Sequence, residues 1–399
     1  MIIKRRDFIK MGAIATGSLF LPKLLQADPF VQGGNNKVMV VLQLSGGNDG
    51  LNTVIPVRND IYYQMRPSIS ISREQSLRLN DEVGLNPQLP FLKTLYDEGN
   101  LAILNNVGYE NPNRSHFRSM DIWQSASQSD QVWNTGWLGR WLDKRMEEPA
   151  YSLAIEIDDT LSLALKGEEE KALATRNFAR LYNQSRTPYF KAWVESYQHQ
   201  HQLDHEKPVD YLYQTLASTT QQVDFLHQSI QKTTRQISYP KNALGNSLKQ
   251  ISALIFADVP TKVYYVSVGS FDTHNNQNQR QENLFRQINV ALSAFVQDLK
   301  QNNRFQDTMI FTFSEFGRRV GQNASNGTDH GTANNMFFIS GGLKKQGLLN
   351  DMPDLLSLQE GDLNHTVDFK QVYATLLDRW LDTPHQSILK EDYSILDFI

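Results

Sequence analysis

The chain has 399 residues, 40% of them hydrophobic and 21% charged, a balance that supports a large buried core and excludes a disordered chain. Its 39 basic and 43 acidic residues leave a net charge of −4, and no dense Lys/Arg stripe supplies the phosphate neutralisation that a nucleic-acid binder needs. Cysteine is absent, which excludes a thiolate nucleophile, a thiolate metal site and a formylglycine precursor.

At the start of the chain, Lys4-Arg5-Arg6-Asp7-Phe8-Ile9-Lys10 resembles the twin-arginine export motif. An apolar run, Met11 to Leu21, follows and is interrupted by Pro22 and Lys23; Leu25-Gln26-Ala27 offers a small residue for cleavage before Asp28. The run falls short of the roughly 20 residues that span a bilayer. The expected organisation is a twin-arginine signal peptide over 1–27 and a single domain over 28–399. The first partner is then the twin-arginine (Tat) translocase, the mature chain has no membrane span, and the protein works in the periplasm or is secreted. A buried helix preceded by basic residues, and retention as an uncleaved anchor, remain open alternatives.

Beyond a polar spacer (Gln32 to Asn36), Lys37 to Leu44 reads as a buried strand because its apolar run is unbroken. Further short apolar runs recur at Leu101–Val107, Leu153–Ile157, Val263–Val268, Met309–Phe313 and Met336–Ile339. Helical patterns lie between them at Pro87–Glu98, Ser115–Ser127, Gln281–Leu299 and Phe369–Leu381. Buried strands alternating with amphipathic helices predict an α/β fold: a doubly wound, mainly parallel sheet flanked by helices. The interval 168–257 is rich in Gln, His, Thr and Lys and predicts a helical insertion; its His199, His201 and His205 fit a solvated helix face better than a metal site. Ser387–Ile399 reads as a tail packed on the domain.

In an open parallel sheet, ligands bind beyond the carboxyl ends of the strands. Asp49 follows the first strand, Asp272 and His274 follow Val263–Val268, Glu315 follows Met309–Phe313, and Asp329 and His330 precede Met336. Carboxylates and imidazoles gathered at one sheet edge are costly unless a cation neutralises them, so these six residues are candidate ligands of a divalent metal. Taken singly, each also fits a plainer role as turn residue, helix cap or loop histidine. After Leu101–Val107, the loop ending in Arg114 leads to Ser115-His116-Phe117-Arg118 at a helix start. There Ser115 is either a simple N-cap or a nucleophile, with Arg114 and Arg118 placed to clamp an anion.

Five motifs carry a resemblance. They are Leu44-Ser45-Gly46-Gly47-Asn48-Asp49-Gly50-Leu51-Asn52, Asn113-Arg114-Ser115-His116-Phe117, Phe271-Asp272-Thr273-His274, Ser314-Glu315-Phe316-Gly317-Arg318 and Gly327-Thr328-Asp329-His330-Gly331. In this order they resemble the alkaline-phosphatase-like superfamily, and more closely the exported bacterial family of unknown function numbered 1501. The superfamily resemblance implies two metal ions beside a nucleophile, and hydrolysis of phosphate or sulfate esters. It further implies that Asp49 binds the ion nearest Ser115, and that Asp272, His274 and His330 bind the other. Glu315 matches the Asp of an Asp-His pair whose histidine is replaced here by Phe316, and Asp329 is a candidate substitute. The spacing Asp272-Thr273-His274 is tighter than the superfamily's.

The function expected is an exported metal-dependent hydrolase of phosphate or sulfate esters, with one or two ions of Zn, Mn, Mg or Ca and a small anionic ester or glycan as substrate. In it Ser115 attacks, Arg114, Arg118 and Arg318 position the anion, and His116 protonates the leaving group. The alternative is a non-catalytic periplasmic binding or assembly protein that keeps the fold. A dinucleotide enzyme is excluded because Gly46-Gly47-Asn48-Asp49-Gly50 lacks the G-x-G-x-x-G spacing.

Overall fold

The computed structural model describes residues 36–145, 153–168, 172–188, 190, 192, 222–231, 233 and 237–399. The expected signal segment 1–27 and His199, His201 and His205 lie outside them.

The strands in chain order are β1 (Val38–Leu44), β2 (Val54–Pro56), β3 (Leu77–Arg78), β4 (Val83–Leu85), β5 (Leu101–Gly108), β6 (Ala154–Glu156) and β7 (Leu173–Ala174). They continue with β8 (Val263–Val268), β9 (Thr308–Phe313), β10 (Asn334–Ile339), β11 (Gly347–Leu348), β12 (Leu358–Gln359), β13 (Asp362–Leu363) and β14 (Val367–Asp368). One nine-stranded sheet runs in the order β11-β5-β10-β9-β1-β8-β6-β7, with β14 also pairing β5. β1 pairs in parallel with both β8 and β9. All seven of its residues are buried, as its unbroken apolar run requires of a central strand. Gln43 is the one polar member. Its amide nitrogen lies 3.1 Å from the Met120 sulfur and its oxygen accepts the Tyr265 hydroxyl.

β10 runs antiparallel to both neighbours, β5 and β9. The sheet is therefore mainly parallel with one reversed strand. That reversal has a consequence for the site, because the loop entering β10 lies at the same edge as the loops leaving β1, β5, β8 and β9.

The two sheet faces bury different sets. Val40, Leu42, Tyr264 and Ile310 pack under the helices Ala243–Phe256 and Gln277–Gln301, while Met39, Val41, Tyr265 and Phe311 face Trp123, Trp137, Phe369 and Tyr373. The Trp123 ring stacks on Phe369 and the Trp137 ring on Tyr373, both at 4.2 Å between centroids. Of the interval 168–257, the described residues include β7, which extends the main sheet from β6, and the helix Ala243–Phe256, which belongs to the flanking layer. At the other end, Phe398 and Ile399 are buried and the Phe398 carbonyl accepts the Lys344 amide. No helix of the described residues is long and apolar enough to cross a membrane.

Candidate metal centre

Four loops meet at the sheet edge, and two glycines let them approach. Gly46 and Gly47 follow β1 with φ of 118° and 77°, values that favour glycine. A Cβ on Gly46 would lie 2.5 Å from the Asp272 amide nitrogen, and one on Gly47 would lie 2.3 Å from the Phe316 ring. The segment after β9 pairs with the segment before β10: Gly317 donates to Thr332, Gly331 to Gly317 and Arg319 to Asp329. That pairing sets His330 opposite Arg318. Arg318 is buried and binds the loops together, donating to the carbonyls of Gly46, Gly47, Thr328 and Phe271 and, at 2.7 Å, to the Asp272 carboxylate. It positions Asp272, and the complete burial of its side chain keeps it from acting as an anion clamp.

Around Asp272 stand three imidazoles, each held by its Nδ1. His116 Nδ1 lies 2.9 Å from Glu315 Oε1, His274 Nδ1 lies 3.1 Å from Asp329 Oδ1, and His330 Nδ1 lies 2.7 Å from the Arg114 carbonyl. All three partners are acceptors only, so each Nδ1 carries its hydrogen and each neutral ring presents a bare Nε2 lone pair. Those lone pairs converge. His274 Nε2 and His330 Nε2 are 3.0 Å apart, and Asp272 Oδ1 lies 3.1, 3.2 and 3.6 Å from the Nε2 atoms of His274, His330 and His116. His116 Nε2 is buried with no hydrogen-bond partner. Lone pairs and a carboxylate facing one another repel until a proton or a cation lies between them.

The set fits a metal ion. Ligand atoms about 2.0–2.1 Å from a tetrahedral zinc lie about 3.3 Å from each other, and the separations here bracket that figure. One ligand atom each from His116, Asp272 and His330 lie within 4.8 Å of one another, and His274 joins this trio through Asp272 and His330. Nitrogen-rich donors with one carboxylate suit zinc better than magnesium or calcium, which take oxygen ligands.

The electrostatics follow from these contacts. The hydrogen bond to Glu315 raises His116 above the ordinary histidine range, against the opposing effect of burial, while burial lowers His330. Burial alone would raise the Asp272 carboxyl; Arg318, then His330 and His274, override it and bring it to about 2. Asp329 is lowered, first by Asn323 and then by His274.

Of the six expected metal ligands, Asp272, His274 and His330 come together. Glu315 and Asp329 stand one step back, each orienting an imidazole. Asp49 stands apart, because Arg66 neutralises it: Nη1 to Oδ2 is 2.6 Å and Nη2 to Oδ1 is 3.0 Å, both side chains being buried. Gln277 and the Leu51 amide also donate to that carboxylate. Arg66 carries no motif in the sequence, and its burial is visible only in the fold. His116, expected as a proton donor, instead turns its Nε2 into the cluster. Phe316, in place of a histidine, packs its ring 4.9 Å from His116 and 4.6 Å from His330.

Ser115 is exposed at the start of the ten-residue helix His116–Ser125, and its hydroxyl makes no capping hydrogen bond. The two expected anion clamps are engaged elsewhere. Arg118 donates to the carbonyls of Gln128, Ser129 and Gln131, and Arg114 pairs with the buried carboxylate of Asp362.

The profile of a family described as "Protein of unknown function (DUF1501)" matches residues 99–390. No curated protein matches the sequence. Among solved structures, a PsFucS1 sulfatase from Pseudoalteromonas sp. is similar at 13% identity and a TM-score of 0.39, covering 90% of this chain and 73% of its own. A protein in the alkaline phosphatase superfamily from Vibrio parahaemolyticus shares 9% identity at a TM-score of 0.37, with coverage of 87% and 71%. The zinc complex of the C-terminal periplasmic domain of EcEptC from Escherichia coli shares 12% identity at a TM-score of 0.34, with coverage of 77% and 74%.

Proposed function

The chain belongs to the family described as protein of unknown function (DUF1501), and from the geometry of its site we propose that it is an exported, single-metal hydrolase of phosphate or sulfate esters. The observation that carries the proposal is the convergence of three bare Nε2 atoms on the Asp272 carboxylate. His116, His274, His330 and Asp272 hold the ion, and Glu315, Asp329 and the Arg114 carbonyl keep the imidazoles in the ligating tautomer. The ion, when bound, supplies positive charge that acidifies an oxygen nucleophile and offsets the charge of the ester. Ser115 contributes an uncommitted hydroxyl one residue before His116, and the first amides of its helix favour an incoming anion. Phe316 backs the cluster with an apolar wall. The segment 1–27, by its resemblance to a twin-arginine signal, supports export.

Elemental analysis of the purified protein tests the reading. Wild type is expected to hold one equivalent of metal, Asp272→Asn to lose it, and Asp49→Asn to keep it. Ser115→Ala is then expected to abolish turnover of p-nitrophenyl phosphate or sulfate while keeping the metal. A wild-type protein that takes up no metal after reloading would overturn the proposal and favour a non-catalytic binding role.

A further inference from the structure

A cavity of about 520 Å³ opens beside the metal centre, between the stretch Gly108–Arg114 and the turn that joins β12 to β13. That size is typical of pockets that hold small organic ligands. Its floor includes the buried side chains of Phe316, Ala333 and Leu363. Its walls carry amides and carboxylates: Glu110, Asn111, Gln359, Glu360 and Asn364 are all exposed. Among the described residues of the wall, Arg114 is the only arginine or lysine, and Asp362 and Glu360 hold it. Glu110 has no partner among the described residues. Arg319, outside the lining, lies 3.3 Å from Asp362, so three carboxylates (Glu110, Glu360 and Asp362) stand against two guanidinium groups, with His365 the remaining titratable residue of the wall.

Two consequences follow. An excess of carboxylates repels any further anionic group on a ligand. Carboxylates accept hydrogen bonds from hydroxyls, and amides both donate and accept, so a wall of this composition suits a group rich in hydroxyls. Phe316 and Arg114 belong to the cavity and to the metal centre's surroundings alike, so a ligand seated here adjoins the cluster. We propose that this cavity takes the alcohol half of the ester, and that this half is a sugar-like polyol with no further negative charge. The proposal rests on the hydrolase reading of the adjoining centre.

Saturation-transfer NMR of the full, metal-loaded protein tests it without depending on turnover. The probes are the methyl glycosides of glucose, galactose, mannose and fucose, together with glucosamine. At least one neutral glycoside is expected to show contact. Asn364→Trp, which fills the cavity from an exposed position, is expected to weaken that contact about tenfold. Glu110→Lys is expected to weaken glucosamine selectively. Thermal melts and metal content matching wild type establish that both variants are folded. The proposal is overturned if no sugar contacts wild type, if Asn364→Trp changes nothing, or if Glu110→Lys strengthens glucosamine binding. Sugar binding by a protein that hydrolyses no ester would sink the hydrolase reading and keep the cavity's ligand. Ester turnover without sugar binding would do the reverse.

Discussion

Asp49 and Asp272 follow neighbouring strands, β1 and β8, at one edge of the sheet, and the sequence offers both as candidate metal ligands. Asp49 is closed. A buried guanidinium meets it through two hydrogen bonds, and Arg66 spends its remaining donors on Asn52 and the carbonyls of Val320 and Arg319. Asp272 is half-exposed, and Arg318 covers it from one side only while three imidazoles face it from the other. The same residue type at the same kind of strand end thus serves two purposes, depending on whether the fold supplies a fixed cation or leaves lone pairs pointing into a gap. One carboxylate is locked into a buried ion pair, and the other faces imidazole lone pairs.

The largest effect is expected where the closed pair is broken. Arg66→Met leaves the Asp49 carboxylate buried and unpaired, which costs about 3–5 kcal/mol. Urea denaturation measures the loss. If added zinc or manganese restores the stability of Arg66→Met, the guanidinium is standing in for an ion and the second metal position is latent. If metal restores nothing, the Asp49 region is purely structural.

A third carboxylate sharpens the comparison by being neutralised in another way. Glu156 ends β6 opposite Tyr265, buried, with the Ser162 amide donating to it at 2.6 Å; among the described residues it makes no salt bridge, and Lys166 opposes the effect of burial only weakly. Burial raises its carboxyl from 4.5 to about 8. Between those values the folded state holds a proton that the unfolded state has released, so this residue's contribution to stability falls as pH rises from about 4.5 to about 8 and is level beyond. Glu156→Gln keeps an acceptor for Ser162 and removes the titration. The variant is expected to match wild type near pH 4 and to exceed it at pH 8.5 by on the order of 3 kcal/mol. Urea midpoints measured across that range would refute a protonated Glu156 if the two proteins ran parallel.

How far the sequence reveals these environments depends on the range of the interactions that set them. β1, β8 and β9 are legible because a central parallel strand needs apolar residues on both faces, and Val38–Leu44, Val263–Val268 and Thr308–Phe313 meet that need locally. The direction of β10 is not legible, since hydrogen bonds to β5 and β9 set it. Two-residue strands such as β12 and β13 are too short to leave a period. The grouping of Asp272, His274 and His330 could be anticipated from strand ends. The roles of His116 and Asp49 could not, because each turns on one distant partner: Glu315, 199 positions along the chain, for His116, and Arg66 in a polar stretch without a motif for Asp49. The segment over 168–257 shows the same limit. Its composition reads as helical, yet β7 within it joins the sheet through a register with β6 that no local pattern encodes.

The smallest expected effect separates charge from geometry on the open side. Glu315 Oε1 accepts both from the Gly46 amide and from His116 Nδ1. In Glu315→Gln the amide oxygen can keep both contacts, and the new NH2 group can face the Ser314 hydroxyl, which lies 3.3 Å from Oε2. Loop position and tautomer then survive, and what disappears is the negative charge, which adds to the hydrogen bond in making His116 a stronger base. Zinc affinity is expected to fall about tenfold, the lower end for removal of such a partner, with thermal stability in the metal-free state unchanged. Competitive chelator titration measures it. A larger loss accompanied by a lower melting temperature would mean that the carboxylate holds the Gly46 turn in place. Unchanged zinc affinity would mean that the hydrogen on His116 Nδ1, rather than the charge behind it, is all that the ligand set draws from Glu315.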